Sequence, residues 1–116
     1  MRRGKHEFVR VCAISDVAEE SAISVVVDDL PIAVVRSQGR FYAIEDVCSH
    51  ENVALSEGEV EDGTIECWLH GSQFNLGTGR AIGPPATRPV RVYSVKVEDG
   101  DVYVAVPRRG AHIVIA

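Results

Sequence analysis

Val92-Tyr-Ser-Val-Lys-Val-Glu-Asp-Gly-Asp-Val-Tyr-Val-Ala-Val106 alternates apolar and polar side chains on both sides of one Asp-Gly pair. Period-2 alternation places one face of an extended chain against a core and the other toward water. Asp99-Gly100 tolerates the positive φ that a two-residue hairpin turn demands, so residues 92–97 and 102–106 are expected to pair as a hairpin. The same reading extends outward. Glu61-Asp-Gly-Thr64 separates residues 59–60 from 64–67, and Ser37-Gln-Gly-Arg40 separates residues 32–36 from 41–44. Asp28-Asp29-Leu30-Pro31 marks a turn after residues 24–27, and residues 8–12 form a further candidate strand. The one helical signal, Ser15-Asp-Val-Ala-Glu-Glu20, suffices for a turn or two. Regular short strands with turns between them predict an all-β fold, an antiparallel β-sandwich or barrel.

The chain of 116 residues is the size of one domain, read as residues 1–116, and is 46% hydrophobic and 25% charged. No apolar run is long enough to span a bilayer as a helix, and the charged start Met1-Arg-Arg-Gly-Lys-His-Glu-Phe8 carries no secretion signal. A cytoplasmic protein without membrane attachment is therefore expected. A net charge of −5 argues against nucleic acid as a partner, because phosphate binding needs a basic face, and suits docking on a basic protein surface. The odd set Cys12, Cys48 and Cys67 does not suggest a disulfide framework. Cys12, in the strand-like Phe8-Val-Arg-Val-Cys-Ala-Ile14, reads as a small core residue.

Residues 46–89 differ from this β framework in being rich in Gly, Pro, Cys and His. Cys48-Ser-His50 and Cys67-Trp-Leu-His70 lie sixteen residues apart, each pair following a candidate strand. Two loops that each supply a thiolate and an imidazole can face one another across one metal site. Zinc accepts two Cys and two His, but its usual pairing is Cys with Cys and His with His. A sulfide-bridged iron pair uses the mixture well, with both cysteines on one iron and both histidines on the other. A cysteine nucleophile with a histidine base leaves the doubled spacing unexplained.

These residues resemble the Rieske ferredoxin family. The likeness rests on Cys48, His50, Cys67 and His70 and extends to Ala43-Ile-Glu-Asp-Val47, Leu55-Ser-Glu-Gly58, Gly71-Ser-Gln-Phe74, Thr78-Gly79 and Val92-Tyr-Ser-Val-Lys-Val-Glu-Asp-Gly100, covering about residues 7–106. It implies one [2Fe–2S] cluster held by those four side chains, at the tip of a small inserted cluster-binding subdomain of about residues 46–89. It also implies a covering loop at Gly83-Pro84-Pro85, which stiff, extended prolines suit. Residues 107–116 form a tail in which Ile113-Val-Ile115 is a further strand candidate.

The resemblance also bears on the electron's energy. Two thiolates neutralise the formal dication of an oxidised [2Fe–2S] core, where four leave a dianion that resists reduction. Such clusters therefore lie at about −150 to +300 mV, against about −400 mV for plant-type ferredoxins. Respiratory members of the family carry a second cysteine pair, a serine and a tyrosine around the cluster. Here Val53 and Leu69 replace the cysteines, Ser72 matches the serine, and Phe74 lacks the tyrosine hydroxyl. A low-to-middle potential for the class follows, with Ser72 raising it where its hydroxyl reaches a sulfur. The histidines are expected to turn an edge to solvent, and Trp68 is expected to pack beneath its loop.

Only His6 and His112 remain after the four candidate ligands, so no second mononuclear iron site is assembled. No dinucleotide fingerprint is present, and Gly77-Thr-Gly79 reads as a turn. The implied role is that of an electron carrier, not an enzyme, with a flavin-dependent reductase as donor and a terminal, aromatic-ring-hydroxylating oxygenase as acceptor. The alternatives are a carrier or regulatory subunit serving another pathway such as iron–sulfur assembly, and a zinc-stabilised interaction module.

Overall fold

The computed structural model describes residues 6–107. Its eleven strands are β1 (His6–Ala13), β2 (Ser21–Val27), β3 (Leu30–Ser37), β4 (Arg40–Glu45), β5 (Glu59–Glu61), β6 (Thr64–Glu66), β7 (Gln73–Asn75), β8 (Ala81–Ile82), β9 (Val92–Tyr93), β10 (Val95–Glu98) and β11 (Asp101–Pro107). They form three antiparallel sheets, ordered β1-β11-β10, β2-β3-β4-β9 and β5-β6-β7-β8. The all-β expectation holds. Among the described residues no helix is long and apolar enough to cross a membrane. Of the tail, only Pro107, which ends β11, lies within the described residues, so the Ile113-Val-Ile115 strand candidate falls outside them.

Four hairpins turn through two residues that both have positive φ: Asp28-Asp29, Gln38-Gly39, Asp62-Gly63 and Asp99-Gly100. The first is tighter than expected, since Leu30 and Pro31 already belong to β3. The helical signal reduces to a single 3₁₀ turn, Ile14–Asp16. The connection from β1 to β2 is too short for more, and Asp16 Oδ2 accepts the Ala13 N–H at 2.9 Å to close it.

The expected single strand over residues 92–97 is broken at Ser94. β9 pairs with β4, whereas β10 pairs with β11, so the chain changes sheets at this residue. The Ala105 N–H donates to the Ser94 carbonyl at 2.9 Å and fixes the corner. Tyr93 and Val95 pack into the same core, so the apolar alternation runs unbroken through the corner.

β3 explains how the layers stack. Its residues Ile32 to Val35 are wholly buried, and successive side chains enter opposite cores. Ile32 and Val34 pack with Cys12, Val17, Val102, Val104 and Val106 of the first core. Ala33 and Val35 pack with Leu55, Ile65, Phe74, Leu76, Cys48 and Cys67 of the second. The middle sheet is thus covered on both faces, and each fully buried Val, Leu, Ile or Phe contributes about 1.5–3 kcal/mol of apolar transfer. The chain leaves this sheet after Glu45 and returns at Val92, whose partner is Ile44. All of β5–β8 is built in between.

Polar ties seat the third sheet. Glu20 accepts hydrogen bonds from the Ser37 hydroxyl (2.9 Å), the Gln38 N–H (2.8 Å) and the Asp62 N–H (3.2 Å), joining hairpins of two sheets. Gly79 sits at φ +78 against the returning strand, and any Cβ there would overlap the Val90 carbonyl oxygen.

Candidate metal centre

Two loops beside the third sheet carry the chemistry. The first follows β4. Buried Asp46 starts it, donating its N–H to the Pro31 carbonyl and accepting from the Ser56 N–H (2.6 Å) and hydroxyl (2.8 Å). This closes residues 46–56 into a loop. Within it the Cys48 N–H donates to the Val53 carbonyl at 2.9 Å, and the His50 N–H approaches Cys48 Sγ at 3.4 Å.

The second loop follows β6. The Cys67 N–H donates to the Ser72 carbonyl at 2.6 Å and the Gly71 N–H to the Cys67 carbonyl at 3.0 Å. That turn passes through Gly71 at φ +77, a conformation suited to glycine. It projects Trp68, Leu69 and His70 outward while Cys67 and Ser72 stay inside.

The four candidate ligands come together in two layers. Cys48 and Cys67 are 3% and 1% exposed, unpaired by any disulfide, and buried in the same core. Above them the His50 and His70 rings stand edge to face with centroids 5.3 Å apart, both exposed. Burial pushes the Cys67 thiol up, the Leu69 and His70 N–H groups oppose it, and the Cys48 thiol adds to the rise. A thiol so placed stays protonated near neutrality unless a cation offsets the desolvation of its thiolate.

The donor set fits an iron pair, with two soft sulfurs inside and two imidazoles outside. The Ser72 hydroxyl supports this. It is fully buried and has no hydrogen-bond partner among the described residues, an expense that an acceptor supplied from outside the chain would remove. Phe74 lies in the same core as both cysteines. Cys12 is buried in the other core, where burial likewise raises its thiol.

Other expectations fare differently. Trp68 is 52% exposed and Leu69 37%, so Trp68 does not pack beneath the loop. The tight turn after Cys67 leaves no interior space at its tip. Gly83 and Pro84 are exposed and Pro85 half-buried, and the Pro84–Pro85 bond is cis. Downstream of them Arg88 bonds to Ser49 of the first loop. The Gly77-Thr-Gly79 turn is present, with Asn75 Oδ1 accepting from the Gly77 and Thr78 N–H groups. Two site residues escaped the sequence reading. Glu51, next to His50, holds its carboxylate against both imidazoles. Arg88 reaches Ser49 from thirty-nine residues away, a contact with no local signal.

The Rieske [2Fe-2S] domain family matches residues 7–94. The chain belongs to the Rieske [2Fe–2S] family. Membership brings a [2Fe–2S] cluster held by cysteine and histidine. This Rieske domain is 45% identical over 101 residues to the 3-phenylpropionate/cinnamic acid dioxygenase ferredoxin subunit of Escherichia coli strain K12, covering 85% of this chain and 93% of that protein. Among solved structures it resembles the complex of reduced oxygenase and oxidised ferredoxin in carbazole 1,9a-dioxygenase, at TM-score 0.79 and 42% identity over 84% of this chain and 92% of that one. It also resembles the Sphingomonas yanoikuyae B1 ferredoxin, at TM-score 0.82 and 29% identity over 87% and 100%.

Proposed function

We propose that this Rieske domain is a ferredoxin that carries single electrons from a flavin-dependent reductase to a terminal, aromatic-ring-hydroxylating oxygenase in the cytoplasm. Cys48, His50, Cys67 and His70 hold its cluster, and residues 46–89 form the cluster-binding part of a single domain. The observation that carries the reading is the donor set itself, with two thiols buried in one core and two exposed imidazoles edge to face. Relatives named as ferredoxin subunits, and a likeness to a ferredoxin in complex with its oxygenase, support the choice of acceptor.

The cluster, when bound, supplies a one-electron couple at a potential set by two neutral and two anionic ligands. The chain's own residues do the rest. Cys48 and Cys67 keep the inner side dry, since both lie in the second core with Leu55, Ile65 and Phe74. His50 and His70 present ring edges to solvent and give an electron the shortest way out. Trp68 and Leu69 flank that exit with apolar surface on which a partner can seat. Ser72 offers a buried hydroxyl without a partner among the described residues, and residues 83–85 provide the covering loop.

Stopped-flow mixing of the reduced, cluster-loaded protein with oxidised terminal oxygenases tests this. Reoxidation of the ferredoxin coupled to reduction of at least one oxygenase of this class is expected. Reoxidation by none of them, with dioxygen alone accounting for the decay, would refute it.

A further inference from the structure

Glu51 is the acidic side chain that the fold sets between the two imidazoles. Its Oε2 lies 3.8 Å from His50 Nε2 and 4.0 Å from His70 Nδ1. The three candidate donor atoms all fall within 4.8 Å of one another. Among the described residues no lysine or arginine comes within ion-pair distance of it. Arg88, in the segment that follows the proline loop, spends its guanidinium on the Ser49 carbonyl.

We propose that Glu51 is a positioning residue that lowers the reduction potential of this centre, by fixing a negative charge beside the imidazoles of the outer iron. The inference rests on the reading that His50 and His70 are ligands. A one-electron carrier gains a negative charge on reduction, and a carboxylate held nearby makes that gain harder. Glu51 is 41% exposed, so the interaction is screened almost as in water. At such separations in water-like dielectric, a unit charge shifts an equilibrium about fivefold. This is a further cause for a low potential, separate from the missing hydroxyl at Phe74 and the missing cysteines at Val53 and Leu69.

The same placement makes the effect dependent on salt. Ionic strength near 1 M brings the screening length to about 3 Å, shorter than the distance from Glu51 to the imidazoles, so the contribution collapses there. A through-bond or packing effect of the side chain has no such dependence. The geometry therefore predicts a potential that rises with salt in the parent protein and much less in a variant without the charge.

The test is an EPR-monitored redox titration of the cluster-loaded protein at pH 7 and low salt, for the parent, Glu51→Gln and Glu98→Gln. Glu98 lies on β10 in the sheet packed on the opposite face of the middle layer, so its variant removes the same net charge at a remote place. Glu51→Gln is expected to favour reduction about fivefold, equivalent to about 40 mV upward at about 59 mV per decade. Its EPR line shape should match the parent, and the difference should shrink in about 1 M salt. Glu98→Gln should move the midpoint far less. An unchanged midpoint in Glu51→Gln with an intact signal would overturn the proposal. So would an equal shift in Glu98→Gln, or loss of the cluster in Glu51→Gln, which would make Glu51 a ligand. The ligand reading fails on a different result, retention of the parental signal in His70→Ala.

Discussion

Ser49 and Arg88 hold each other reciprocally: the Ser49 hydroxyl donates to the Arg88 carbonyl at 2.5 Å, and Arg88 Nη2 donates to the Ser49 carbonyl at 3.1 Å. Ser49 lies between two proposed ligands, and Arg88 follows the proline loop, so the pair ties one wall of the site to the other. A net value of about 1 kcal/mol per such bond makes the latch a moderate restraint on opening. Ser49→Ala and Arg88→Ala should each speed bleaching of the visible spectrum by a chelator about fivefold, with Arg88→Lys in between. Parental bleaching rates in both alanine variants would show that the latch does not guard the cluster.

Ser72 gives the second prediction. Its buried hydroxyl lacks a protein partner, and a hydrogen bond to a cluster sulfur strengthens when an electron is added. Ser72→Ala should lower the midpoint. A difference of about 1 kcal/mol between the two oxidation states corresponds to about 40 mV. The parent itself should titrate in the lower two-thirds of the mixed-ligand range, below about +150 mV. A midpoint in the upper third, or an unmoved midpoint in Ser72→Ala, would contradict this.

Trp68 allows a test of docking that leaves the cluster alone. Its exposed indole lies on the loop that carries His70, and buried tryptophans anchor interfaces with losses of about 2 kcal/mol or more on truncation. Trp68→Ala should raise the oxygenase-side KM for ferredoxin about thirtyfold, with midpoint and spectrum unchanged. An unchanged KM would place the partner elsewhere.

Glu20 sets an acid limit on the fold. The Gln38 N–H, the Ser37 hydroxyl and the Asp62 N–H hold its carboxyl below the usual glutamate range. The folded state thus favours the carboxylate. This contribution is complete above the ordinary value near 4.3 and is lost as pH falls through the lower folded value. Urea unfolding from about pH 6 down to about pH 3 should show a shallower acid loss in Glu20→Gln than in the parent. Parallel curves would mean that Glu20 does not couple the sheets.

How much of this was legible in the sequence depends on whether the cause is local. Asp62-Gly63 and Asp99-Gly100 announce their hairpins because the turn chemistry resides in the two residues themselves. The change of sheets at Ser94 does not show, because Tyr93 and Val95 face the same core on either side of it. β7 and β8, of three and two residues, are too short for any periodicity. At the site, the spacing of Cys48, His50, Cys67 and His70 pointed to a metal centre because each pair is a local unit on one loop. The exposure of Trp68 was misjudged, since residue type does not reveal that the Cys67–Gly71 turn aims the indole outward. Arg88 acts on Ser49 and Glu51 on His70 across space, and only the folded chain brings these pairs together.

The central claim is that Cys48, His50, Cys67 and His70 hold a two-iron cluster that takes one electron. It is tested most directly by pulsed EPR of the chemically reduced, iron-replete protein, with metal and sulfide analysis of the same sample. Two irons and two sulfides per chain are predicted, with one unpaired spin coupled to two imidazole nitrogens. The coupling should be unchanged in Cys12→Ser and absent in His50→Ala and His70→Ala. A spin coupled to no nitrogen, a colourless zinc protein, or loss of the signal on replacing Cys12 would contradict the account.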